Sequence, residues 1–415
     1  MRGMGKLRSR LITVVTCIAL FYNLFTPIRL FIDGGKSLIT LIAFFTIYVF
    51  GNLLVNKGIL VTLFYTVVVC ILMLLGVEYF NTTYWGVIIS ILFSVSVLEY
   101  FATTRDLFFA KWVTITTFLS ITLLVLLSIP QFMLIPDLAR SVASEINTGE
   151  SEGVGSLAYW SISYEYIHNL PLLVIPVVVL LKTSITMKYR VLSLFVLLSF
   201  IVLSIVAGTT TPLILIILSV VTIYLYKPDK KLSVNISRWL IIGAFLIVIL
   251  NKATITAVLE TILPIFTETS SESRVSNIIS FINYGETEGD LALREDVYSI
   301  TFNSLKDNFF GVEYKINRIG MHSFILDHLA AMGFFFFQSF ILFLYYAYKR
   351  GASVLYQSKY AFLIAYIFFI AMGILKNYFL INTILAIIPL SLALIESKTK
   401  LKIKKKWKKQ YSLGS

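Results

Sequence analysis

Uninterrupted apolar sequence of bilayer-crossing length, repeated along the chain, constrains this protein more than any other feature. A membrane-spanning helix needs about 20 predominantly apolar residues. Runs near that length occupy 11–28, 37–55, 59–77, 84–102, 107–129, 165–181, 190–207, 211–226, 237–251, 323–347, 360–375 and 377–395. Hydrophobic residues make up 58% of the chain, charged residues only 14%, and the mean hydropathy is +0.87. Soluble domains carry about 45–50% apolar and about 25% charged residues. A soluble globular enzyme, a disordered chain and a fibrous repeat are thereby excluded. An outer-membrane barrel is excluded too, because its strands alternate apolar and polar positions. The expectation is an all-α polytopic membrane protein with about 12 transmembrane helices. No cleaved signal peptide is expected, since the first run is long and followed by further spans.

Orientation follows from Lys and Arg. With the N-terminus cytoplasmic, Arg2, Lys6, Arg8, Arg10, Arg105, Lys111, Lys182, Arg190, Lys349, Arg350 and the C-terminal lysines all fall inside, along with most of the other bases. Both termini are then cytoplasmic. The net charge of +13 follows from this bias plus the basic tail. That tail, with Trp407 inside it, suits anionic headgroups. No nucleic-acid partner is expected, because no folded basic module accompanies the lysines. Cys17 and Cys70 lie in apolar runs and offer neither a disulfide framework nor metal-ligand spacing.

Four regions result. Residues 1–251 form a bundle of nine spans with an outer loop at about 130–164. Residues 252–322 form a large extracytoplasmic loop, 323–395 three more spans, and 396–415 a polybasic cytoplasmic tail. In the first loop a short helix is expected from Asp137 to Asn147, with Asp137 as N-cap. The long loop is too large for a passive connection. Val275, Ile278, Ile279 and Ile282 have amphipathic helical spacing, and Thr269 with Glu272 fits a capping box. A second helix carries Leu291, Tyr298, Phe302 and Leu305 on one stripe, with Arg294 on that stripe, and ends at Asn308 and Gly311. Both helices are expected to lie apolar side down on the bundle. No paired broken helices of the inverted-repeat transporter kind occur.

Several residues could carry chemistry. Arg274 and Arg294 sit on or beside apolar faces, where guanidinium groups suit phosphate oxygens. The alternative is pairing with loop carboxylates. Gly320-Met321-His322-Ser323 leads into the tenth span. His322 there can act as a base at neutral pH, or be a surface loop histidine. Ser323 and Asp327 share a helix face. Asp327 lies inside the span, where ionisable residues are functional hypotheses; with His328 it could instead form a local polar network. His322 and Asp327, five apart, do not share a face. Glu99 is read as snorkelling to the cytoplasmic interface, His168 as interfacial, Gly208–Pro212 as a turn, and Arg29 with Asp33 as a local pair. No GxGxxG, P-loop, HExxH or GxSxG motif is present.

The stretch from Arg274 to Gly333 resembles the Wzy-type polysaccharide polymerases of the O-antigen polymerase and ligase superfamily. Ser273-Arg274 matches the start of that family's large loop. Arg294 followed by Phe310-Gly311 matches its second arginine and turn. Gly320, His322, Ser323, Asp327 and Gly333 match its Gly-x-His-Ser/Asn…Asp…Gly pattern. Where relatives often carry Ser-Arg after the seventh span, this chain has Thr209-Thr210-Thr211. Ser323 stands where ligases tend to have Asn, which leans towards polymerase.

The resemblance implies a GT-C-like membrane glycosyltransferase of the bacterial plasma membrane. It would extend undecaprenyl-diphosphate-linked oligosaccharides into capsule, exopolysaccharide or O-antigen without metal or cofactor. It implies that His322 orients or deprotonates the acceptor hydroxyl, with Asp327 supporting it. Arg274 and Arg294 would bind the donor diphosphate, with Arg318 and Ser323 as further substrate-binding residues. Membrane lipids, a flippase and a chain-length regulator are the implied partners. The rival expectations are a ligase-type transferase and a flippase for the same glycolipids.

Overall fold

The computed structural model describes residues 2–30, 36–53, 56–77, 80, 84–134, 162, 164–184, 186–225, 256–257, 260–261, 263–266, 276, 279–280, 290–307, 309, 323–376 and 383–399. These residues are helical, with no strand among them. The helices are α1 (Arg2–Leu24), α2 (Lys36–Phe50), α3 (Lys57–Leu74), α4 (Tyr84–Thr104), α5 (Leu107–Leu134), α6 (Tyr164–Thr183), α7 (Met187–Val206), α8 (Thr210–Leu225), α9 (Asp290–Asp307), α10 (Phe324–Ser353) and α11 (Lys359–Leu375). A last helix, α12, covers 383–399 and opens with a π turn at Thr383–Ile387. Among the described residues, seven helices are long and apolar enough to cross a bilayer: α1, α3, α4, α5, α6, α7 and α10. Parts of α2, α8 and α11 are shorter apolar helices. Of the twelve apolar runs, 237–251 lies outside the described residues, and each of the others overlaps a helix over its described part.

Local chemistry starts and stops these helices. Asn56 caps α3, its side chain accepting from Gly58 N at 2.8 Å. Asp106 caps α5 by accepting from Phe108 N at 2.9 Å and Phe109 N at 3.2 Å. Such caps satisfy amides that have no partner inside the helix. Glu396 does the same from a distance, accepting from the backbone N–H groups of Tyr356 and Ser358 ahead of α11. Hydroxyls within the spans donate to the carbonyl four residues back, as in Thr16→Ile12 at 2.7 Å and Ser96→Leu92 at 2.8 Å. Buried in lipid or protein they would otherwise lack acceptors.

The core holds Tyr65, Phe93, Phe101, Phe109, Phe340, Phe343 and Phe362, all essentially inaccessible. The outside of the bundle is equally apolar: Leu192, Phe195, Leu198, Val202 and Ile205 of α7 are exposed, as are Phe334, Phe335, Ile341 and Leu342 of α10. Apolar surface of this extent on crossing-length helices is a lipid-facing surface. The protein is a polytopic membrane protein.

Successive helices run antiparallel, so two ends can be defined. One end joins the start of α1 to the ends of α2, α4 and α10. There Arg8 donates to Phe50 O, Ser9 to Asp106, and Arg105 to Val354 O at 2.7 Å and Ser353 O at 2.9 Å. We call this the basic end. The opposite end, the loop end, joins the ends of α1 and α5 to the start of α6, and the start of α4 to that of α10: Tyr166 donates to Asn23 O at 2.8 Å, Ile162 N to Ser128 Oγ at 2.7 Å, and Tyr84 OH bonds His328 Nε2.

One reading changes here. Glu99 does not snorkel. It is fully buried near the basic end, paired with Arg350 at 2.8 Å, and accepts from Asn56 Nδ2 at 2.8 Å and Tyr346 OH at 3.2 Å. Its partner is on α10, so the pair replaces the missing water. His168, near the start of α6, is buried. The Gly208 turn is as expected: Gly208 has φ +60°, and Thr209 N donates to Ser204 O at 3.1 Å, a left-handed helix stop.

Candidate functional site

The loop-end start of α10 is where sequence-derived residues meet structure. Ser323 is the N-cap, with extended backbone (φ −130°, ψ 111°), and its Oγ accepts from Leu326 N at 3.2 Å. In return, Asp327 Oδ2 accepts from Ser323 N at 3.0 Å. This is a reciprocal capping arrangement, with the acid one position later than in the usual box. A carboxylate in the first turn is also favoured by the helix dipole. Ser323 Oγ further reaches Gly373 O at 3.3 Å, and Phe324 N donates to Lys376 O at 3.0 Å. The start of α10 is thus tied to the end of α11.

Asp327 has a second tie. Its Oδ1 accepts from Thr301 Oγ1 at 3.0 Å, and both residues are buried. Thr301 belongs to α9, the helix of the long loop. Tyr298 OH of α9 reaches Ile374 O at 3.4 Å. The loop helix is therefore docked on the starts and ends of α10 and α11 through Tyr298 and Thr301. By helical spacing, position 294 falls on the same face as these two, seven residues and about 10.5 Å along the axis from Thr301.

A break in α10 completes the docking. Gly333 has φ 63° and ψ 168°, a backbone region closed to residues with a Cβ. The break leaves Phe334 N without a partner in its own helix, and it donates instead to Phe309 O at 2.7 Å. The Phe309 and Phe334 rings stack at 5.5 Å.

Beneath Asp327 lies an aromatic pocket around His328. Its Nδ1 is 2.8 Å from Phe324 O, so that nitrogen carries the proton and donates. Its Nε2 then accepts from Tyr84 OH, and Tyr84 OH lies 2.9 Å from Tyr65 OH. The rings of Phe324, Phe340 and Phe80 stand 3.9, 5.3 and 5.5 Å from the imidazole. This is the local polar network that was one of the two readings of His328, and it links α10 to α3 and α4.

The structure thus describes the side chains of Asp327 and Ser323 and brings them together. Arg294 lies on α9, its side chain outside the described set; Arg274, Arg318 and His322 lie outside the described residues altogether. So do the Asp137–Asn147 helix, the cap at Thr269 and Glu272, Asp33, Phe310-Gly311 and the basic tail from residue 400 onwards. The stripe expected on α9 is rotated. Thr301 is buried while its neighbour Phe302 is half exposed.

Sequence reasoning passed over Thr301, Tyr84 and Lys376. Lys376 is buried at the end of α11 beside Ser323. A base on the side of the membrane that the orientation rule disfavours was the available signal. Among the described residues no three His, Cys, Asp or Glu side chains come together as metal ligands. No family model, curated protein or solved structure matches the chain.

Proposed function

We propose that the chain is a twelve-span membrane glycosyltransferase that polymerises undecaprenyl-diphosphate-linked oligosaccharide repeat units at the outer face of a bacterial plasma membrane. The loop end faces outward and the basic end faces the cytoplasm. The resemblance of Ser273-Arg274, Arg294 and the Gly320–Gly333 pattern to Wzy-type polymerases motivates the reading. The observation that carries it furthest is the Thr301–Asp327 hydrogen bond at 3.0 Å. It ties the helix bearing Arg294 to the first turn of the helix that follows His322, so that two separately matched motifs meet at one end of the bundle.

In this mechanism Arg274 and Arg294, with Arg318, hold the donor diphosphate, and fixed guanidinium charge stabilises it as it leaves. His322 takes the proton of the acceptor sugar hydroxyl. The hydroxyl oxygen bonds to the anomeric carbon, the bond from that carbon to the diphosphate oxygen breaks, and undecaprenyl diphosphate departs. Direct displacement inverts the anomeric configuration. Asp327 acts as a positioning residue. Both its oxygens are engaged, and one of them holds the backbone N–H immediately after His322.

Reconstitution tests this. Purified protein in vesicles receives a synthetic undecaprenyl-diphosphate oligosaccharide, without nucleotide sugar, and products are resolved by length. A ladder that disappears in His322→Ala supports a polymerase. A single transfer to a different acceptor supports a ligase. Movement of lipid between leaflets without lengthening overturns the reading in favour of a flippase.

A further inference from the structure

A groove of about 830 Å³ runs along the outside of the bundle between α5, α6, α7 and α12. Its volume is in the range of roughly 300–1,000 Å³ typical of ligand sites. The wall is mainly apolar, including Leu123, Leu126, Val177 and Val196. At one end the apolar character gives way to Lys111, Lys398 and Tyr189. Lys111 is in the first turn of α5, Tyr189 in the first turn of α7 and Lys398 near the end of α12, so this is the basic end. Asp327 and α9 belong to the opposite end.

We propose that this groove is a binding site for one anionic glycerophospholipid, with its phosphate between Lys111 and Lys398 and an acyl chain along α5. Three observations commit the site to that occupant. First, charge is complementary: Lys111 and Lys398 bring two positive charges to the groove, and no carboxylate is among its lining residues. The acids nearest in sequence, Asp106 and Glu396, already accept backbone amides. Second, an aromatic face holds each ammonium group, and one of the two rings, Tyr189, itself lines the groove. Lys111 Nζ lies 5.4 Å from the Trp112 ring and Lys398 Nζ 5.1 Å from the Tyr189 ring. Third, the length fits. From Lys111 to Leu126 the groove follows α5 for about 22 Å. That exceeds half of the roughly 30 Å hydrocarbon core, so it takes the chain of one leaflet and not a span of both. Pro176 lines the groove where α6 is interrupted by two prolines, and the ring and the lost helical bond locally reshape that wall.

Native mass spectrometry of the full-length protein in detergent, titrated with phosphatidylglycerol or phosphatidylcholine, tests the site. The wild type is expected to retain one phosphatidylglycerol per chain, about tenfold or more in preference to phosphatidylcholine. The Lys111→Gln/Lys398→Gln variant should lose the preference with an unchanged melting temperature. A Thr122→Trp variant, which fills the middle of the groove, should retain neither lipid. Equal retention of both lipids by the wild type means ordinary annular lipid and overturns the proposal. An unaffected lysine variant overturns it as well, as does displacement of phosphatidylglycerol by stoichiometric undecaprenyl phosphate. None of these outcomes depends on catalysis.

Discussion

Asp327 is buried with one oxygen on Thr301 and the other on Ser323 N, so its value is positional and depends on partners. Replacing Thr301 by Val removes one hydrogen bond to a charged acceptor, a loss of about 1.5–3 kcal/mol. The expected outcome is a lower melting temperature and slower polymerisation. In a double-mutant cycle, Thr301→Val and Asp327→Asn should be strongly non-additive, because they cut the same link; additive effects in thermal unfolding contradict the geometry. Glu99 obeys similar rules at the other end. Arg350→Met leaves a buried carboxylate without its cation, which costs about 3 kcal/mol, the low end for such pairs because Arg350 keeps some solvent contact. Gly58→Ala should also destabilise, since a Cβ there overlaps the Glu99 carboxylate. Chemical denaturation in detergent reads both. Neither partnership was legible in sequence. Thr301 and Asp327 are 26 positions apart, and Glu99 and Arg350 are 251. Burial of an acid inside an apolar run is visible; which helix answers it is not.

At the scale of elements, crossing helices are legible because bilayer thickness imposes their length, lipid leaves only helices or closed barrels, and the apolar runs lack a barrel's alternation. The loop helix is less so. α9 lies where the apolar and polar pattern placed it, yet its docked face is turned so that Thr301 goes in and Phe302 stays half exposed. Hydrophobic periodicity assumes that the buried face is the apolar one. Here the surface offered by α10 and α11 is a carboxylate and a row of carbonyls, so a hydroxyl fits better. The break at Gly333 belongs to the same device. It frees Phe334 N for Phe309 O, and any other residue at φ 63° is strained by about 1–3 kcal/mol. A Gly333→Ala variant is therefore expected to loosen α9 selectively. Amide hydrogen exchange should rise across 290–307 while α3 and α4 keep their protection. Equal loosening throughout contradicts a local role for the break.

For the molecule as a whole, the same cations carry two duties. Arg8 donates to the last carbonyl of α2, Arg105 to the last carbonyls of α10, and Lys182 to Ile223 O and Tyr224 O at the end of α8, at 2.7 and 3.2 Å. The C-terminal carbonyls of a helix have no partner within it and carry partial negative charge. A bundle whose even-numbered early helices end on one side needs donors on that side. The bases there therefore close helix ends and, in the proposed orientation, also supply the positive charge of the cytoplasmic side. Orientation and fold are thus coupled: an inverted bundle would carry the same bases to the wrong leaflet. Cysteine labelling in intact cells checks this. In a background with Cys17 and Cys70 replaced by Ala, Ser151→Cys and Gly285→Cys should react with a membrane-impermeant maleimide. Ser412→Cys should react only after permeabilisation. The reverse pattern would place the Arg294 helix inside, where no outer-face polymerisation is possible, and the proposed activity would fall with the orientation.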